Sequence, residues 1–458
     1  MAKAQRSEHG EWSSGLMFVL AATGSAVGLG NLWRFPYQVA QNGGAAFVFI
    51  YLLCIMLVGL PIIVAEITLG RRGKQSPINS LRSIAMAEGV SRYWTLLGWL
   101  GVASGVLILS FYSVVGGWTL YYTAQAFTGA FQGMGVEAAS EMFGGLTASP
   151  WAVVLWHTLF MLLLFGIVVV GVRDGIQRTV TLLMPMLLVI LVLLVGYGMA
   201  ASGSFNEAAL FLFQPDYTAV TPDTFLTALG QAFFTLSLGL GAIMVYGAYL
   251  PQNESIPNSA AWIVGMDTAT ALLAGLAIFP IVFAAGMDAG SGGPGLVFKT
   301  LPIVFGEIPF GVILAILFYI LLAAAAITSG VSLLEPATAY LTEKGGSRLV
   351  GAGSVALVIW LLGIPAALSQ NIWSDLKLPG GQGIFGTMEF VSTTIMLPLG
   401  GLLIALFSGW FMRSASLAKE LGVNPGNTLY LLWLFAVRFI APLGVILIFL
   451  NSLGVFGG

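Results

Sequence analysis

The sequence predicts an all-α, polytopic membrane protein of eleven spans, and three observations carry that prediction. Of the 458 residues, 58% are hydrophobic and only 8% charged, against roughly 25% charged in ordinary soluble domains. Apolar windows of about 20 residues, the length that crosses a bilayer as helix, recur along the whole chain. Two of these windows carry matched glycine clusters in their middle. A water-soluble enzyme, a disordered scaffold and a nucleic-acid binder are excluded, because 17 basic and 19 acidic side chains leave no charge to attract a polyanion. The one cysteine, Cys54, has no partner for a disulfide.

In order, the spans fall near 14–36, 44–69, 95–127, 150–171, 176–200, 223–249, 258–286, 307–341, 348–369, 385–411 and 427–451. Basic residues set their orientation. Lys3 and Arg6 precede span 1; Arg71, Arg72, Lys74, Arg82 and Arg92 follow span 2; Arg173, Arg178, Lys344, Arg348, Arg413 and Lys419 fill the later loops of the same side. Opposite loops hold only Lys299 and Lys377. The basic side reads as cytoplasmic, with the N-terminus inside, the C-terminus outside and the cell (inner) membrane as the location. Lys3 and Arg6 before an apolar run could mark a signal peptide, but the glycine pattern of span 1 argues that it is retained.

Span 1 contains Thr23-Gly24-Ser25-Ala26-Val27-Gly28-Leu29-Gly30-Asn31, and span 6 contains Thr235-Leu236-Ser237-Leu238-Gly239-Leu240-Gly241-Ala242. Glycine inside a helix costs about 1 kcal/mol relative to alanine. Clustered pairs therefore predict helices that break, and freed backbone in a membrane is tolerable only where it lines a cavity or binds something. Matched breaks point to a transport site between inverted repeats. The repeats fall at 14–200 and 223–411, with 427–451 added as an eleventh span. For a single Gly-Leu-Gly, close helix packing through small residues would be the simpler reading. The matched pair favours a site.

At these residues the chain resembles the neurotransmitter:sodium symporter family, in its bacterial amino-acid branch. The run Gly24-Ser25-Ala26-Val27-Gly28-Leu29-Gly30-Asn31-Leu32-Trp33-Arg34-Phe35-Pro36 matches the family's first span, and Gln231-Ala232-Phe233-Phe234-Thr235-Leu236-Ser237-Leu238-Gly239 its sixth. The resemblance implies the leucine-transporter fold, sodium symport by alternating access and two sodium ions. One ion would be held by the Ala26 carbonyl, Asn31, Thr235, Asp267 and the substrate carboxylate. The second would be held by carbonyls of Gly24, Val27 and Ala325 with hydroxyls of Thr328 and Ser329. Sodium is a hard cation that takes oxygen ligands, which these groups supply. Such hydroxyls often merely bond back to a helical carbonyl; span 1 opposite them favours the ion.

The resemblance places the substrate against Ala26, Gly28, Leu29, Gly30, Tyr112, Phe234, Thr235 and Ser237, with Ile108, Leu240, Ser332 and Leu333 around its side chain. Amine-carrying members hold an aspartate where this chain has Gly28, so the substrate is an α-amino acid, and the apolar lining makes it hydrophobic or aromatic. Another small zwitterion or osmolyte on the same fold is the alternative. Arg34 and Glu389 match an outer gate; Trp12, Tyr249 and Glu343 match an inner one, where the usual arginine is replaced by His9 and Arg6 could substitute. Gly175 and Pro185 match a motif at which span 5 unwinds, against the simpler reading of a proline kink. Glu66 is expected to bond the unwound backbone and Glu335 to bond polar groups of the inner pathway. Arg438 should pair locally and His157 should be a structural histidine. Chloride-dependent members place asparagine at the Asp267 position. Asp267 is therefore the expected counter-charge, with no chloride requirement and a proton carried outward on the empty return step.

A channel would need a continuous polar pore, which is absent from the pattern. An intramembrane hydrolase would need paired acids or a serine with a base, whereas Glu66, Asp267 and Glu335 are scattered over three spans.

Overall fold

The computed structural model describes residues 11–287 and 295–452. Lys3, Arg6 and His9 lie outside the described residues. Among the described residues there is helix but no strand, as a bilayer requires of any open chain that spans it. Among the described residues nine helices are long and apolar enough to cross: Ala45–Gly73, Arg92–Phe127, Pro150–Val170, Val172–Ala201, Ile256–Ala284, Gly311–Glu343, Arg348–Leu368, Ile384–Phe411 and Thr428–Asn451. A tenth span is the pair Gly15–Ala26 and Gly30–Gln41, bent by 50° at its break. Span 6 completes eleven as Pro222–Thr235 and Ala242–Ala248, interrupted between them.

Both interruptions fall on the predicted glycines. Val27 leaves the helical region at φ −70°, ψ 104°. In span 6, Ser237, Gly239 and Gly241 all have positive φ, of 53°, 79° and 73°. Glycine adopts that region without strain, which explains two of the three; Ser237 is held there by its hydroxyl, which donates to the Ser25 carbonyl at 3.1 Å.

Glycines also bring the broken helices against their neighbours. A Cβ on Gly247 would stand 2.9 Å from the Ile67 carbonyl oxygen, and one on Gly70 would collide with the Met244 carbonyl. Span 2 and the second half of span 6 thus touch backbone to backbone, as small residues allow in membrane bundles. Spans 3 and 8 pack along each other through the centre. His157 is fully buried in span 4, its Nε2 3.2 Å from the Trp360 carbonyl. Arg438 donates to the Gly409 carbonyl at 2.6 Å.

Three details differ from the sequence reading. Span 8 begins at Gly311 rather than near 307, because Phe310 turns the chain at φ 59° after the short helix Leu301–Glu307. Span 1 runs on to Gln41. Span 5 is wound through Gly175 and Pro185: a π-turn covers Val172–Gln177 and α-helix follows over Arg178–Ala201. Gln177 is fixed to the start of span 1 by a 2.8 Å bond from its amide to Ser13 Oγ.

Amphipathic helices outside the spans cap one end, Pro77–Glu88 after span 2 and Ser414–Leu421 after span 10. They are joined by ion pairs at the basic end. The Glu88 side chain is shielded from solvent, takes a bond from Arg72, and accepts from both the backbone N–H and Nε of Arg413 at 2.9 Å. Arg71 pairs with Glu420 at 2.7 Å and donates to the Glu254 carbonyl at 2.5 Å. Burial alone would raise the Glu88 carboxyl, but Arg413, Ser416 and Arg72 outweigh it and hold it at about 2, below the ordinary 4.5. A depressed carboxyl contributes stability above its ordinary range that is lost as pH falls through the folded value. Glu88→Gln should therefore lower the melting temperature of the purified protein at pH 7. The gap to wild type should close between about pH 4.5 and 2; a gap independent of pH would contradict the clamp.

Candidate functional site

The two breaks face each other and span 8. The end of the first half of span 1 leaves carbonyls without helical N–H partners, and Ser329 sits among them. Its Oγ lies 3.1 Å from the Ser25 carbonyl oxygen, 3.2 Å from that of Val27 and 3.4 Å from that of Gly24. Even with the Ser237 hydroxyl also donating to Ser25, two hydroxyl protons cannot fill three carbonyl acceptors, so oxygen lone pairs are left over at this point. Thr328 Oγ1, one residue earlier, lies 3.1 and 3.2 Å from the Ala324 and Ala325 carbonyls. Gly24, Val27, Ala325, Thr328 and Ser329 thus form a neutral, oxygen-rich cradle.

A second cluster surrounds Asp267, which is fully buried. Asn31 Nδ2 donates to its carboxylate at 2.8 Å and to its carbonyl at 3.1 Å; Thr235 Oγ1 lies 3.1 and 3.2 Å from the two carboxylate oxygens. Asn31 Oδ1 accepts from the Gly28 N–H at 3.0 Å. Among the described residues no basic side chain lies within 4 Å of the carboxylate. A buried charge is stable only when compensated, and here the protein supplies neutral donors alone. Among the described residues no three His, Cys, Asp or Glu side chains converge. A cation here would be bound by carbonyl, hydroxyl and amide oxygens with the single carboxylate.

Between the clusters lies a pocket of about 30 Å³ lined by Ser25, Ala26, Gly28, Leu29, Gly30, Ile108, Tyr112, Phe234, Ser237, Leu240, Ser329, Leu333 and Leu397. Ten of the twelve substrate residues expected from the sequence line it. Thr235 turns instead to Asp267. Ser332 accepts from Ser25 Oγ at 2.8 Å and donates to the Ser329 carbonyl at 2.7 Å. A Cβ on Gly28 would collide with Ser329 Oγ and stand 3.3 Å from the Tyr112 hydroxyl, and one on Gly30 would stand 2.9 Å from Phe234 Cδ1. The glycines therefore make the space. Glu66 accepts from the Gly239 N–H at 2.5 Å, satisfying the unwound backbone of span 6. Sequence reasoning missed Ser25 and Leu397; the signal for Leu397 was the Gly400-Gly401 pair after it, seated on Gly239.

Above the pocket a cavity of about 560 Å³ shares Leu29, Tyr112 and Phe234 with it. Arg34 and Glu389 line this cavity without pairing within 4 Å; the Arg34 guanidinium lies 4.6 Å over the Phe234 ring. The basic end is closed. Trp12 is buried, donates from Nε1 to the Tyr246 carbonyl at 2.9 Å and from its backbone to that of Tyr249 at 3.0 Å. The Tyr249 hydroxyl donates to Glu335 at 2.9 Å, and Arg348 holds the same carboxylate at 2.6 and 3.1 Å. Glu343 takes the Ser76 N–H at 2.5 Å, the Ser76 hydroxyl, and Asn79 Nδ2 at 2.7 Å. Arg348, read in the sequence only as an orientation charge, is thus the ion-pair partner of Glu335.

A helical membrane protein whose central pocket opens to one end and is sealed at the other by polar side chains has the form of a solute carrier. The chain belongs to the sodium:neurotransmitter symporter family, which residues 9–138 and 145–457 match. It is 39% identical over 450 residues to the uncharacterized sodium-dependent transporter YhdH of Bacillus subtilis, covering 97% of this chain and 98% of that protein. An uncharacterized sodium-dependent transporter of Haemophilus influenzae is 33% identical over 452 residues, covering 96% and 98%. The crystal structure of MhsT in complex with L-phenylalanine is similar at a TM-score of 0.89 and 42% identity, covering 97% of this chain and 99% of that one. The protein is a multi-pass, sodium-dependent transporter and not an enzyme.

Removing one partner of a buried ion pair costs about 3–5 kcal/mol, so Arg348→Ala should open the basic end. With Cys54 replaced, a cysteine at the buried position Ala248 should then label with a thiol reagent at least about tenfold faster than in the same protein with Arg348 intact. Equal rates would show that this pair does not hold the closure.

Proposed function

We propose that the protein imports hydrophobic or aromatic L-amino acids, with two sodium ions per substrate and no chloride requirement. The observation that carries this reading is the buried Asp267 carboxylate, met among the described residues by Asn31 and Thr235 alone. It supplies the negative charge that a sodium ion at Ala26, Asn31, Thr235 and Asp267 needs, so an added anion is superfluous. The second ion occupies the cradle of Gly24, Val27, Ala325, Thr328 and Ser329. The substrate carboxylate fills the space kept open at Gly28, near the positive end of the half-helix that starts at Gly30. Its side chain lies among Ile108, Tyr112, Phe234, Leu240 and Leu333, none of which could pair a charge. The L-phenylalanine held by MhsT supports the same substrate class.

The basic end is the cytoplasmic one, so the cavity above Phe234 faces outward, and Arg34 approaches Glu389 when it closes. Residues 14–200 and 223–411 act as inverted repeats, each opening with its broken helix. Two positive charges moved inward per zwitterion, less the one carried outward as a proton on the empty return step, contribute about 2.3 kcal/mol at ~100 mV, enough for a roughly 50-fold gradient from the potential alone. An Asp267 carboxylate left without sodium is costly at mid-membrane, so the empty carrier returns with a proton.

In proteoliposomes, L-phenylalanine uptake should persist when chloride is replaced by gluconate, stop when sodium is replaced by choline, and quicken when the interior is acidified. Collapse in gluconate would remove Asp267 as counter-charge. Thr328→Ala/Ser329→Ala should weaken the sodium response by tens-fold, at about 1–2 kcal/mol per lost contact; a sodium titration overlaying wild type would take these hydroxyls out of the site.

A further inference from the structure

Span 10 contributes one residue to the central pocket, Leu397, and one charged residue to the cavity above it, Glu389. They are eight residues apart. An α-helix turns about 100° per residue, so two such residues would point about 80° away from each other. The span is not a regular helix between them. A π-turn covers Val391–Met396, and the Leu397 N–H donates to the Ser392 carbonyl five residues back. A π-turn inserts one extra residue, which returns the pair to within about 20° of one line. The turn is supported locally: Ser392 Oγ donates to the Met388 carbonyl at 2.7 Å and Thr393 Oγ1 to that of Glu389 at 2.8 Å.

Below the turn, Leu397 cannot retreat. A Cβ on Gly239 would stand 2.7 Å from the Leu397 carbonyl oxygen, and one on Gly400 would stand 2.8 Å from the Gly239 carbonyl oxygen. Span 10 is therefore seated backbone to backbone on the unwound part of span 6, and Leu397, 1% exposed, is a fixed wall. The remaining apolar lining comes from spans 1, 3, 6 and 8.

We infer that Leu397 sets the upper size of the substrate side chain, and that the π-turn exists to aim this wall into the pocket beneath Glu389. The inference rests on the proposed hydrophobic amino-acid site. A well-packed apolar pocket discriminates by about 10- to 200-fold for one methylene, so a change at this wall should alter selectivity rather than sodium use.

The test is competition of L-tryptophan and L-valine against radiolabelled L-leucine on the full-length protein in nanodiscs with sodium. Leu397→Ala should raise the affinity for tryptophan relative to leucine at least about tenfold. Leu397→Phe should lower that ratio by a similar factor and leave valine within about threefold. Leu397→Met should keep the wild-type order, and Ile395→Ala, on the partly exposed side of the same turn, should change nothing. All variants should keep the wild-type sodium midpoint for leucine binding, which shows that they are folded. If Leu397→Ala does not fold, the Phe variant carries the test. Ratios unchanged in the folded variants, or moved equally by Ile395→Ala, would overturn the role of Leu397 alone. Failure of wild type to bind any of the three amino acids would overturn the underlying site and the inference with it.

Discussion

A backbone carbonyl inside a bilayer must have a partner, and the breaks in spans 1 and 6 violate that demand unless something else meets it. The rest of the structure follows from how it is met. At span 6 the protein supplies its own answer, since Glu66 reaches across to the Gly239 N–H. At span 1 it does so only in part: the Ser329 and Ser237 hydroxyls offer two protons to the carbonyls of Gly24, Ser25 and Val27. The spare carbonyl lone pairs there and the buried Asp267 carboxylate are where the proposed sodium ions would be held. In the proposed cycle, sodium bound there couples its gradient to the solute.

The same constraint decides the scaffold. Unwound segments need neighbours close enough to exclude lipid, so Gly70, Gly247, Gly400 and Gly401 bring intact helices to backbone contact with the broken ones. Apart from Glu66 and Asp267 at the breaks, the charged side chains along the pathway stand near its ends. Glu335, Arg348 and Tyr249 seal one end by hydrogen bonds, while Arg34 and Glu389 stand apart at the other. A carrier must break one seal as it makes the other, and hydrogen-bonded polar side chains can exchange partners where interlocked apolar ones would resist.

Much of this was legible in the sequence. The eleven spans were, because a bilayer demands about 20 apolar residues and little else does. The breaks were, because Gly28, Gly30, Gly239 and Gly241 stand where packing alone would not need four glycines. Asp267, Asn31 and Thr235 came from the family pattern, and the structure brings them within hydrogen-bonding distance. The Arg348–Glu335 pair was hidden because its partners were weighed by different rules, one as a loop charge and the other as a buried acid. Leu397 was hidden because a π-turn shifts the register of a span whose apolar composition shows no period. The wound state of span 5 and the separation of Arg34 from Glu389 belong to one conformation, which sequence does not select.

The central claim is that the broken helices bind solute only together with sodium. It is tested most directly by measuring the affinity of the purified protein for L-phenylalanine across sodium concentrations, at constant ionic strength with potassium as the replacement. Two ions bound with the solute should make the apparent Kd fall with roughly the square of the sodium concentration. The same Kd in sodium and in potassium would contradict the account.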